Sequence, residues 1–367
     1  MSTPTMTSRE RVQRAMERRD MDRVPRYETC WHETLERWMG EGLPGRTNNE
    51  VMQSVWTALE ADMHMLSWFW PHPFPGRETV LAEDEETRTT LGPSGTMERF
   101  WKTKSGTPEH VGWDCDSRQK WEQQYKPAFL EQGITINVDE TRRQWQRGQA
   151  KNQWTFLAGV EAFEELRKLL GDEQSMYMML DDPEWIQDIA ETQATVLLRN
   201  YDAVLQAGIQ PDGVWIYGDM AFKNMTFCSP DTYRELIWPQ HKRIADWAHA
   251  HGMKMIFHSD GDLRGVMDLF VEAGFDCLQP LECKASMDVR DLAPKYGHEI
   301  SFFGNIDIMV LISNDVERIE AEVSQKMAAG MEHKGYLYHS DHSIPPQVSW
   351  ATYQAVIRFV NHYGWYH

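Results

Sequence analysis

The stretch "SPDTYRELIWPQHKRIADWAHAHGMKMIFHSDG", residues 229–261, contains a helix signal, a strand signal and a polar cluster in direct succession. Ser229 is a suitable N-cap before Pro230 at the first helical position, and Gly252 is a typical helix end. The apolar run "MKMIFHSD", residues 253–260, predicts a short strand that ends in polar residues. The stretch therefore predicts a helix that leads into a buried strand with a polar carboxyl end.

The same unit recurs along the chain. Short apolar or β-branched runs, separated mostly by helical patterns, occur at residues 23–28, 61–68, 154–160, 213–219, 253–260, 276–282, 300–307 and 335–341. Strands that alternate with helices form parallel sheets. Eight of them fit a closed barrel better than an open sheet, so the sequence predicts an α/β protein with a (β/α)8 TIM barrel.

One polar, turn-rich segment, residues 78–150, interrupts this rhythm. The alternating patterns "TRTTLG" and "MERFWKTK", with "GPSG" between them, predict a hairpin-like insertion between strands two and three. The chain contains no linker tract that would divide it. We therefore expect a single (β/α)8-barrel domain over residues 1–367, with residues 78–150 as an insertion within it.

The composition excludes several classes of protein. Asp and Glu outnumber Lys and Arg by 56 to 37, and a formal charge of −19 argues against a nucleic-acid partner and an anionic membrane surface. No apolar run approaches the roughly 18 residues of a membrane span, and the N-terminus lacks an apolar signal core. Five cysteines without a CxxC spacing argue against a disulfide framework. We expect a cytoplasmic protein.

The tripeptide His-Ser-Asp occurs twice, at residues 258–260 and 339–341, each time at the end of a predicted strand. In a barrel, the carboxyl ends of all strands meet at one face, which is where active sites lie. Each polar residue alone is typical of a helix cap or a turn, whereas the whole set indicates a site. The set comprises Asp219, His258, Asp260, Glu282, Asn305, Asp307, His339, Asp341 and His342.

Two chemical uses of this set compete. His258 and Asp260 are two residues apart, so on an extended segment both side chains can turn to the same side. With His342 as a third ligand they would form a catalytic metal site that keeps one position open. The alternative is metal-free general acid–base catalysis by a His–Asp pair.

Sixteen tryptophans are present, and they have two interpretations. The first is ordinary packing. The second is an aromatic substrate pocket, for which Trp68 and Trp70 in "SWFWPHPFPGRE" (residues 67–78) and Tyr217 near the end of the fourth strand are the candidates.

Several motifs resemble the uroporphyrinogen decarboxylase superfamily, which also includes corrinoid-dependent methyltransferases. The likeness covers nearly the whole chain, and its most specific element is "SPDTYRELIWPQHKRI". The similar segments are "SRERVQRAMERRDMDRVPR" (8–26), "FLAGVEAF" (156–163), "SPDTYRELIWPQHKRI" (229–244), "FFGNID" (302–307) and "HSIPP" (342–346). The resemblance implies a (β/α)8 barrel, in agreement with the strand pattern.

The departures from that family concern its decarboxylase motifs. True decarboxylases carry "RQAGR" after strand one, where this chain has "YETCWHETLER" (27–37), with Cys30 about where the first arginine would fall. They carry "FSDI" after strand two, where this chain has "SWFW" (67–70). A protein that binds a polyanionic tetrapyrrole needs its cationic clamp. The resemblance is therefore to the methyltransferase branch.

In that branch, an HxC motif after strand five and a cysteine after strand eight hold zinc. Here His258-Ser259-Asp260 stands at the first position and His342 at the second. The resemblance thus implies zinc or another divalent metal held by His258, Asp260 and His342. Such harder ligands would make the metal more Lewis acidic than a thiolate-rich site does.

The resemblance implies methyl transfer, such as demethylation of a methoxylated aromatic compound, between a small substrate and a corrinoid carried on a partner protein. Two alternatives stay open: a metal-independent decarboxylase or lyase that acts on a small acid, and a non-catalytic ligand-binding barrel. In the methyl-transfer hypothesis the substrate contacts are Trp68, Trp70 and Tyr217, and the catalytic residues are Asp219, Glu282, Asn305 and His339. Asn305 would orient the substrate, and Asp219 or Glu282 would handle the proton.

Overall fold

The structure is a computed structural model, and it describes residues 5–103 and 108–366. The helices are α1 (Ser8–Met16), α2 (His32–Gly40), α3 (Asn48–Leu59), α4 (Arg118–Lys120), α5 (Lys126–Glu131), α6 (Val138–Ala150), α7 (Ala162–Leu170), α8 (Asp172–Asp181), α9 (Pro183–Gln206), α10 (Pro230–Leu236), α11 (Trp238–Ala250), α12 (Met267–Ala273), α13 (Val289–Tyr296), α14 (Ile308–Ile312), α15 (Val316–Met331) and α16 (Trp350–Tyr363). A π-helical turn spans Trp121–Tyr125 and a 3₁₀ turn spans Cys283–Ala285.

The strands fall into one large parallel sheet and two small antiparallel ones. They are β1 (Met63–Phe69), β2 (Thr79–Glu83), β3 (Thr87–Leu91), β4 (Thr96–Trp101), β5 (Glu109–Trp113), β6 (Trp154–Val160), β7 (Gly213–Tyr217), β8 (Ala221–Phe222), β9 (Met225–Thr226), β10 (Lys254–His258), β11 (Cys277–Gln279), β12 (Ser301–Phe303) and β13 (Tyr336–Leu337). The parallel sheet has the order β1-β6-β7-β10-β11-β12-β13. Seven of the eight predicted strands are therefore present as strands.

The first predicted strand, residues 23–28, is not a regular strand, which corrects the sequence prediction. The segment is extended and joins the sheet through isolated bridges, one of them between Arg26 and Tyr338. The Tyr338 amide donates to the Pro25 carbonyl at 2.8 Å, and the Asp62 amide donates to the Arg26 carbonyl at 2.8 Å. Pro25 has no N–H to extend a ladder. The segment nevertheless lies between β1 and β13, and the (β/α)8 barrel closes through it.

The insertion between β1 and β6 is larger than the predicted hairpin. It contains a four-stranded antiparallel sheet in the order β2-β3-β4-β5, followed by the short helices α4 to α6. The end of the predicted second hairpin strand, residue 104, lies outside the described residues. That residues 78–150 are an insertion within one domain over 1–367 stays a prediction.

Aromatic side chains fill the interior of the barrel. Tyr27 packs against Trp56, Phe156 and Trp215, with ring centroids 5.4–5.9 Å apart. Trp215 in turn stacks on Tyr217 at 5.4 Å. Such large rings occupy the volume inside the barrel, so its axis is a packed core that ends below the carboxyl ends of the strands. Among the described residues, no helix combines the length and apolar character needed to cross a membrane.

A buried carboxylate ties the amino-terminal end of the barrel together. Asp62 is fully buried and accepts from Arg11 Nη1 and Arg23 Nη1, both at 2.6 Å, and from the Arg26 amide at 2.9 Å. Ser8 Oγ also donates to it at 2.7 Å. These contacts join α1, the closing segment and the start of β1, so this ion cluster holds the barrel closed from below.

Replacement of this carboxylate should therefore be costly. Asp62→Asn removes the buried anion of Arg23 and leaves Arg11 with Asp22 alone, and we expect it to lower the free energy of unfolding by about 3–5 kcal/mol. Glu10→Gln is the matched control, because Glu10 pairs with Arg14 on the exposed face of α1 and should change the stability by less than about 0.5 kcal/mol. Chemical denaturation measures both. Equal effects of the two substitutions would contradict this role for Asp62.

Candidate active site

A cavity of about 250 Å³ opens at the carboxyl ends of the barrel strands. Its polar lining includes His258, Asp260, Gln279, His339 and His342. Its aromatic lining consists of Trp31, Trp215 and Tyr217. A concave site with a few convergent polar groups between aromatic walls is the usual form of a small-molecule site.

Strand register brings three of these residues to one level. His258 is the last residue of β10, and it pairs with Tyr217 at the end of β7 and with Gln279 at the end of β11. Parallel strands that end in step present their last side chains side by side. The polar end of the "MKMIFHSD" run therefore lies at the centre of the cavity.

The His258 ring is held in a defined orientation. Its Nδ1 hydrogen-bonds the Gln279 Oε1, and since a carbonyl oxygen only accepts, Nδ1 carries the hydrogen. Nε2 faces Asp219, 3.6 Å from its Oδ1. A second group that fixes the tautomer in this way is typical of a metal-binding histidine.

Asp260 is the most perturbed carboxylate of the cavity. Burial raises its pKa to about 6, in opposition to the nearby His258 imidazole, which lowers it. Its Oδ1 atom is buried and has no hydrogen-bond partner among the described residues. Ligand atoms of Asp219, His258 and Asp260 all lie within 4.8 Å of one another. The arrangement thus offers an uncompensated buried oxygen to a cation.

His342 approaches the same carboxylate from the other side of the cavity. Its Nε2 lies 4.0 Å from Asp260 Oδ2, and its ring stacks on Trp31 with centroids 5.8 Å apart. The structure therefore brings His258, Asp260 and His342 to one cavity, although they come from chain segments about eighty residues apart. The group whose ligand atoms all lie within 4.8 Å of one another, however, contains Asp219 and not the predicted ligand His342.

His339, from the second copy of the tripeptide, forms part of the cavity floor. Burial lowers its pKa to about 3, so the ring is neutral. Its Nδ1 donates to the Ser340 carbonyl at 2.6 Å, and its Nε2 lies 3.3 Å from Thr29 Oγ1. The ring packs edge-on against Phe303. These contacts fit a fixed neutral wall of the site better than a proton donor.

Two of the three predicted aromatic residues belong to this region. Tyr217 lies over His258 with ring centroids 4.5 Å apart, and Trp68 packs edge-on against Tyr217 at 4.6 Å. The Trp68 side chain is 48% exposed at the rim of the cavity. Its exposed surface is therefore available for contact with a ligand.

Trp70 does not share this cavity, which corrects the sequence prediction. Its Nε1 donates to Glu165 Oε2 at 2.5 Å, and its ring lines a separate cavity of about 170 Å³ near Lys168. Trp68 and Trp70 would face the same side of a continuous strand. However, β1 ends at Phe69 and Pro71 follows, so the chain turns away between the two rings.

Asn305 and Glu282 also lie outside the cavity lining. The Asn305 backbone has a positive φ of 83°, and its side chain is buried. Its Nδ2 donates to the Leu281 and Met287 carbonyls, and its Oδ1 accepts from the Val289 amide. Its hydrogen-bonding groups hold loops together, so its placement does not fit the predicted role of orienting substrate.

The remaining predicted carboxylates mainly serve the backbone. Glu282 accepts from the Gly261 amide at 3.0 Å, one residue away from Asp260. Asp307 caps α14, and Asp341 accepts from the Cys283 and Ile308 amides. The capping interpretation of these residues matches the contacts that the structure gives them.

A second group with metal-ligand atoms, Cys283, Asp307 and Asp341, lies near the end of β12. The Lys326 ammonium is buried against it, 2.8 Å from Cys283 Sγ and 2.6 Å from the Asn305 carbonyl. A fixed cation, which also pairs with Glu322 at 2.6 Å, therefore already contacts the thiol of this group. The His258 cluster, in contrast, has no Lys or Arg among the described residues that line its cavity.

Two residues near the cavity were missed by the sequence analysis. Gln279 orients His258, and nothing distinguishes a glutamine in a buried run before the register is known. Glu28 is fully buried at the end of the closing segment, with Oε1 3.4 Å from His339 Nε2. The sequence could have indicated Glu28 as a site residue, because it is the last residue of the first predicted strand, just as His258 lies near the end of the fifth.

Comparisons with known proteins identify the family and the fold of this chain. A family model described as uroporphyrinogen decarboxylase (URO-D) matches residues 168–363, which is more than half of the chain. This range contains Asp219, His258, Asp260 and His342. A search of curated proteins gives no match.

Among solved structures, a methyltransferase from Methanosarcina mazei superposes with a TM-score of 0.70 at 15% identity, over 97% of this chain and 99% of that chain. A psychrophilic family 10 endo-β-1,4-xylanase gives a TM-score of 0.37 at 9% identity, over 63% and 84% of the two chains. An intracellular xylanase from Thermoanaerobacterium saccharolyticum gives 0.36 at 12% identity, over 61% and 76%. The first of these similarities shows a shared fold over both full lengths. The family match over residues 168–363 shows that the chain belongs to the uroporphyrinogen decarboxylase family.

Proposed function

We propose that this protein is a methyltransferase that moves a methyl group between a small substrate and a corrinoid carried on a partner protein. The observation that carries the proposal is the convergence of His258, Asp260 and His342 on one cavity, with Asp219 beside them. The Methanosarcina mazei protein of the same fold is itself described as a methyltransferase. Uroporphyrinogen decarboxylase chemistry, in contrast, does not fit the lining of this cavity.

The donor set fits a divalent metal such as zinc. Imidazole nitrogens and carboxylate oxygens suit this ion, and the unpartnered Asp260 Oδ1 supplies a buried negative charge. We propose His258, Asp260 and His342 as ligands, with Asp219 as a further carboxylate within reach. When bound, the metal supplies Lewis acidity that polarises a substrate oxygen and makes it a better leaving group.

The walls of the cavity indicate the class of substrate. Trp31, Trp215 and Tyr217 provide flat apolar surfaces, and Trp68 stands at the rim. Rings favour such surfaces for offset or edge-on contact. A methoxylated aromatic compound of modest size matches both these walls and the volume of about 250 Å³.

Protein residues would orient this substrate and deliver a proton to its oxygen as the methyl group leaves to the cobalt. Tyr217 and Trp68 hold the ring, and the neutral His339 forms the floor beneath it. Asp219 is 40% exposed and hydrogen-bonds the Asp260 amide, so it can exchange a proton with solvent at the cavity entrance. Asp219 is thus the group that we propose for proton transfer.

The rim suits a partner protein that presents its corrinoid to the cavity. Large apolar side chains are exposed at the carboxyl end of β1 and in the segments that follow other barrel strands. They are Trp31 (43%), Trp68 (48%), Phe222 (47%), Met225 (59%) and Met309 (51%). Exposed apolar groups around a site are typical of protein–protein contact, and methionine adapts well to such surfaces.

The metal proposal predicts the effect of removing one ligand. Protein prepared without chelator should contain about one zinc or similar ion per chain, and His258→Ala should lose both the metal and methyl transfer to a corrinoid protein. His362→Ala, which changes an exposed histidine on α16, is the control. Elemental analysis and a demethylation assay measure both. A metal-free protein that is fully active would instead favour the acid–base or lyase alternative.

The different placement of the two tryptophans predicts different phenotypes. Trp68→Ala should weaken substrate binding by roughly 1–3 kcal/mol and leave stability nearly unchanged, because the ring is half exposed at the rim. Trp70→Ala should leave binding unchanged and reduce stability by about 2–3 kcal/mol, because Glu165 loses its partner and a cavity is left. Calorimetric titration and thermal unfolding separate them. Equal effects of the two substitutions on binding would contradict the placement of Trp68 at the cavity and of Trp70 outside it.

The cavity lining also predicts which substrate the protein rejects. Uroporphyrinogen carries several carboxylates, and none of the described residues that line this cavity is Arg or Lys. We expect no loss of carboxylates when the purified protein is incubated with uroporphyrinogen under anaerobic conditions, followed by chromatography. Stepwise decarboxylation at an enzymatic rate would contradict the proposal that this protein is a methyltransferase and not a uroporphyrinogen decarboxylase.

A further inference from the structure

Glu28 lies buried behind the cavity, and its two oxygens have different surroundings. Oε2 accepts from the Tyr338 hydroxyl at 3.2 Å, the Ser340 amide at 3.3 Å and the Tyr353 hydroxyl at 3.4 Å. Oε1 lies 2.7 Å from Ser340 Oγ and 3.1 Å from the Thr29 amide. The side chain is completely shielded from solvent.

A count of hydrogens at Ser340 shows where a proton must be. Ser340 Oγ lies 2.7 Å from Glu28 Oε1 and 2.6 Å from the His342 carbonyl oxygen. The hydroxyl has one hydrogen, and a backbone carbonyl can only accept. Both short contacts are hydrogen bonds only if Glu28 donates to Ser340 while Ser340 donates to His342.

The titratable groups around Glu28 also favour a neutral acid. Tyr338 and His339 face it from the end of β13, Tyr353 faces it from α16, and Cys30 lies on its own segment. None of these groups is a fixed cation. Burial raises the pKa of Glu28 to about 8, although the hydrogen bond from Ser340 acts in the opposite direction.

We propose that Glu28 is a positioning residue. The protonated Glu28 carboxyl donates a hydrogen bond to Ser340 Oγ, and the Ser340 hydroxyl donates to the His342 carbonyl. This pair of hydrogen bonds fixes the His342 main chain and hence the His342 ring at the cavity. When the Glu28 proton leaves to solvent, the Ser340 hydroxyl turns towards the carboxylate and releases the His342 carbonyl. The inference rests on the proposed function in one respect: it takes the His342 ring, which Glu28 positions, to be part of the proposed metal site. Glu28 and Ser340 themselves are not among the proposed ligands or substrate contacts.

The sign of the stability effect follows from the raised pKa. A carboxyl whose pKa is higher in the folded protein than in the unfolded chain binds its proton more tightly when folded. Its contribution to stability is therefore greatest at pH values below its ordinary value. That contribution falls as the pH rises towards about 8 and is constant above this.

Glu28→Gln is the informative variant, because glutamine can donate and accept as the protonated acid does, at every pH. Glu165→Gln is the matched control. Glu165 is the other fully buried carboxyl whose pKa burial raises to about 8, but it hydrogen-bonds Trp70, away from His342. Both variants should lose part of the fall in unfolding temperature that the wild type shows between about pH 5 and about pH 8.

The ring of His342 supplies the deciding readout, and it needs no metal. In metal-free protein, the nuclear magnetic resonance shifts of this ring should show a separate step near pH 8 in the wild type and in Glu165→Gln. The step should be absent from Glu28→Gln. In parallel, Co²⁺ affinity should fall about tenfold above this pH in the wild type and in Glu165→Gln, and stay constant in Glu28→Gln.

Each outcome decides the matter. A wild-type His342 ring without a step near pH 8, or a step that persists in Glu28→Gln, overturns the proposal. If Glu28→Gln does not fold, the comparison of wild type with Ser340→Ala replaces it, since loss of the hydroxyl must also remove the step. If no variant binds Co²⁺, the proposed metal site fails, whereas the His342 step still supports or refutes the role of Glu28.

Discussion

The rest of this structure depends on the backbone hydrogen bonds of residues 25–27 to the strands on either side. The Tyr338 and Asp62 amides donate to the Pro25 and Arg26 carbonyls, and the Tyr27 amide donates to Tyr338. Without these bonds, β1 and β13 would be the exposed edges of an open sheet. Closure brings the loop after β13 round to the loop after β10, which is why His342 meets Asp260. Asp62 and its arginines reinforce the same junction from below.

Closure also explains the unusual electrostatics of the cavity. The barrel interior is packed with aromatic rings, so the carboxylates at its upper end are poorly solvated. Asp260 and Glu28 respond with raised pKa values. For Asp260, whose Oδ1 lacks a partner, we propose that a bound cation stabilises the carboxylate. For Glu28, which is surrounded by hydroxyl groups, we propose that the carboxyl group keeps its proton and stays neutral.

Membership of the uroporphyrinogen decarboxylase family fixes the fold of this protein but not its substrate. The chain keeps the barrel, and the side chains at its strand ends decide which substrate fits. Trp31, Trp215 and Tyr217 line a cavity without the cations that a polycarboxylate needs, and this is a property of the site rather than of the fold. The same reasoning supports a small aromatic substrate and a partner protein that docks on the apolar rim.

The sequence by itself determined the alternation of strands and helices, because caps such as Ser229 and apolar runs such as residues 253–257 are local signals. It also indicated that His258, Asp260 and His342 would share one face, since parallel strands place their carboxyl ends together. Only the tertiary structure decided which polar side chains enter the cavity. Asn305 and Asp341 turn to backbone groups, and Trp70 turns away after β1 ends. These directions depend on long-range partners, which neither spacing nor residue type encodes.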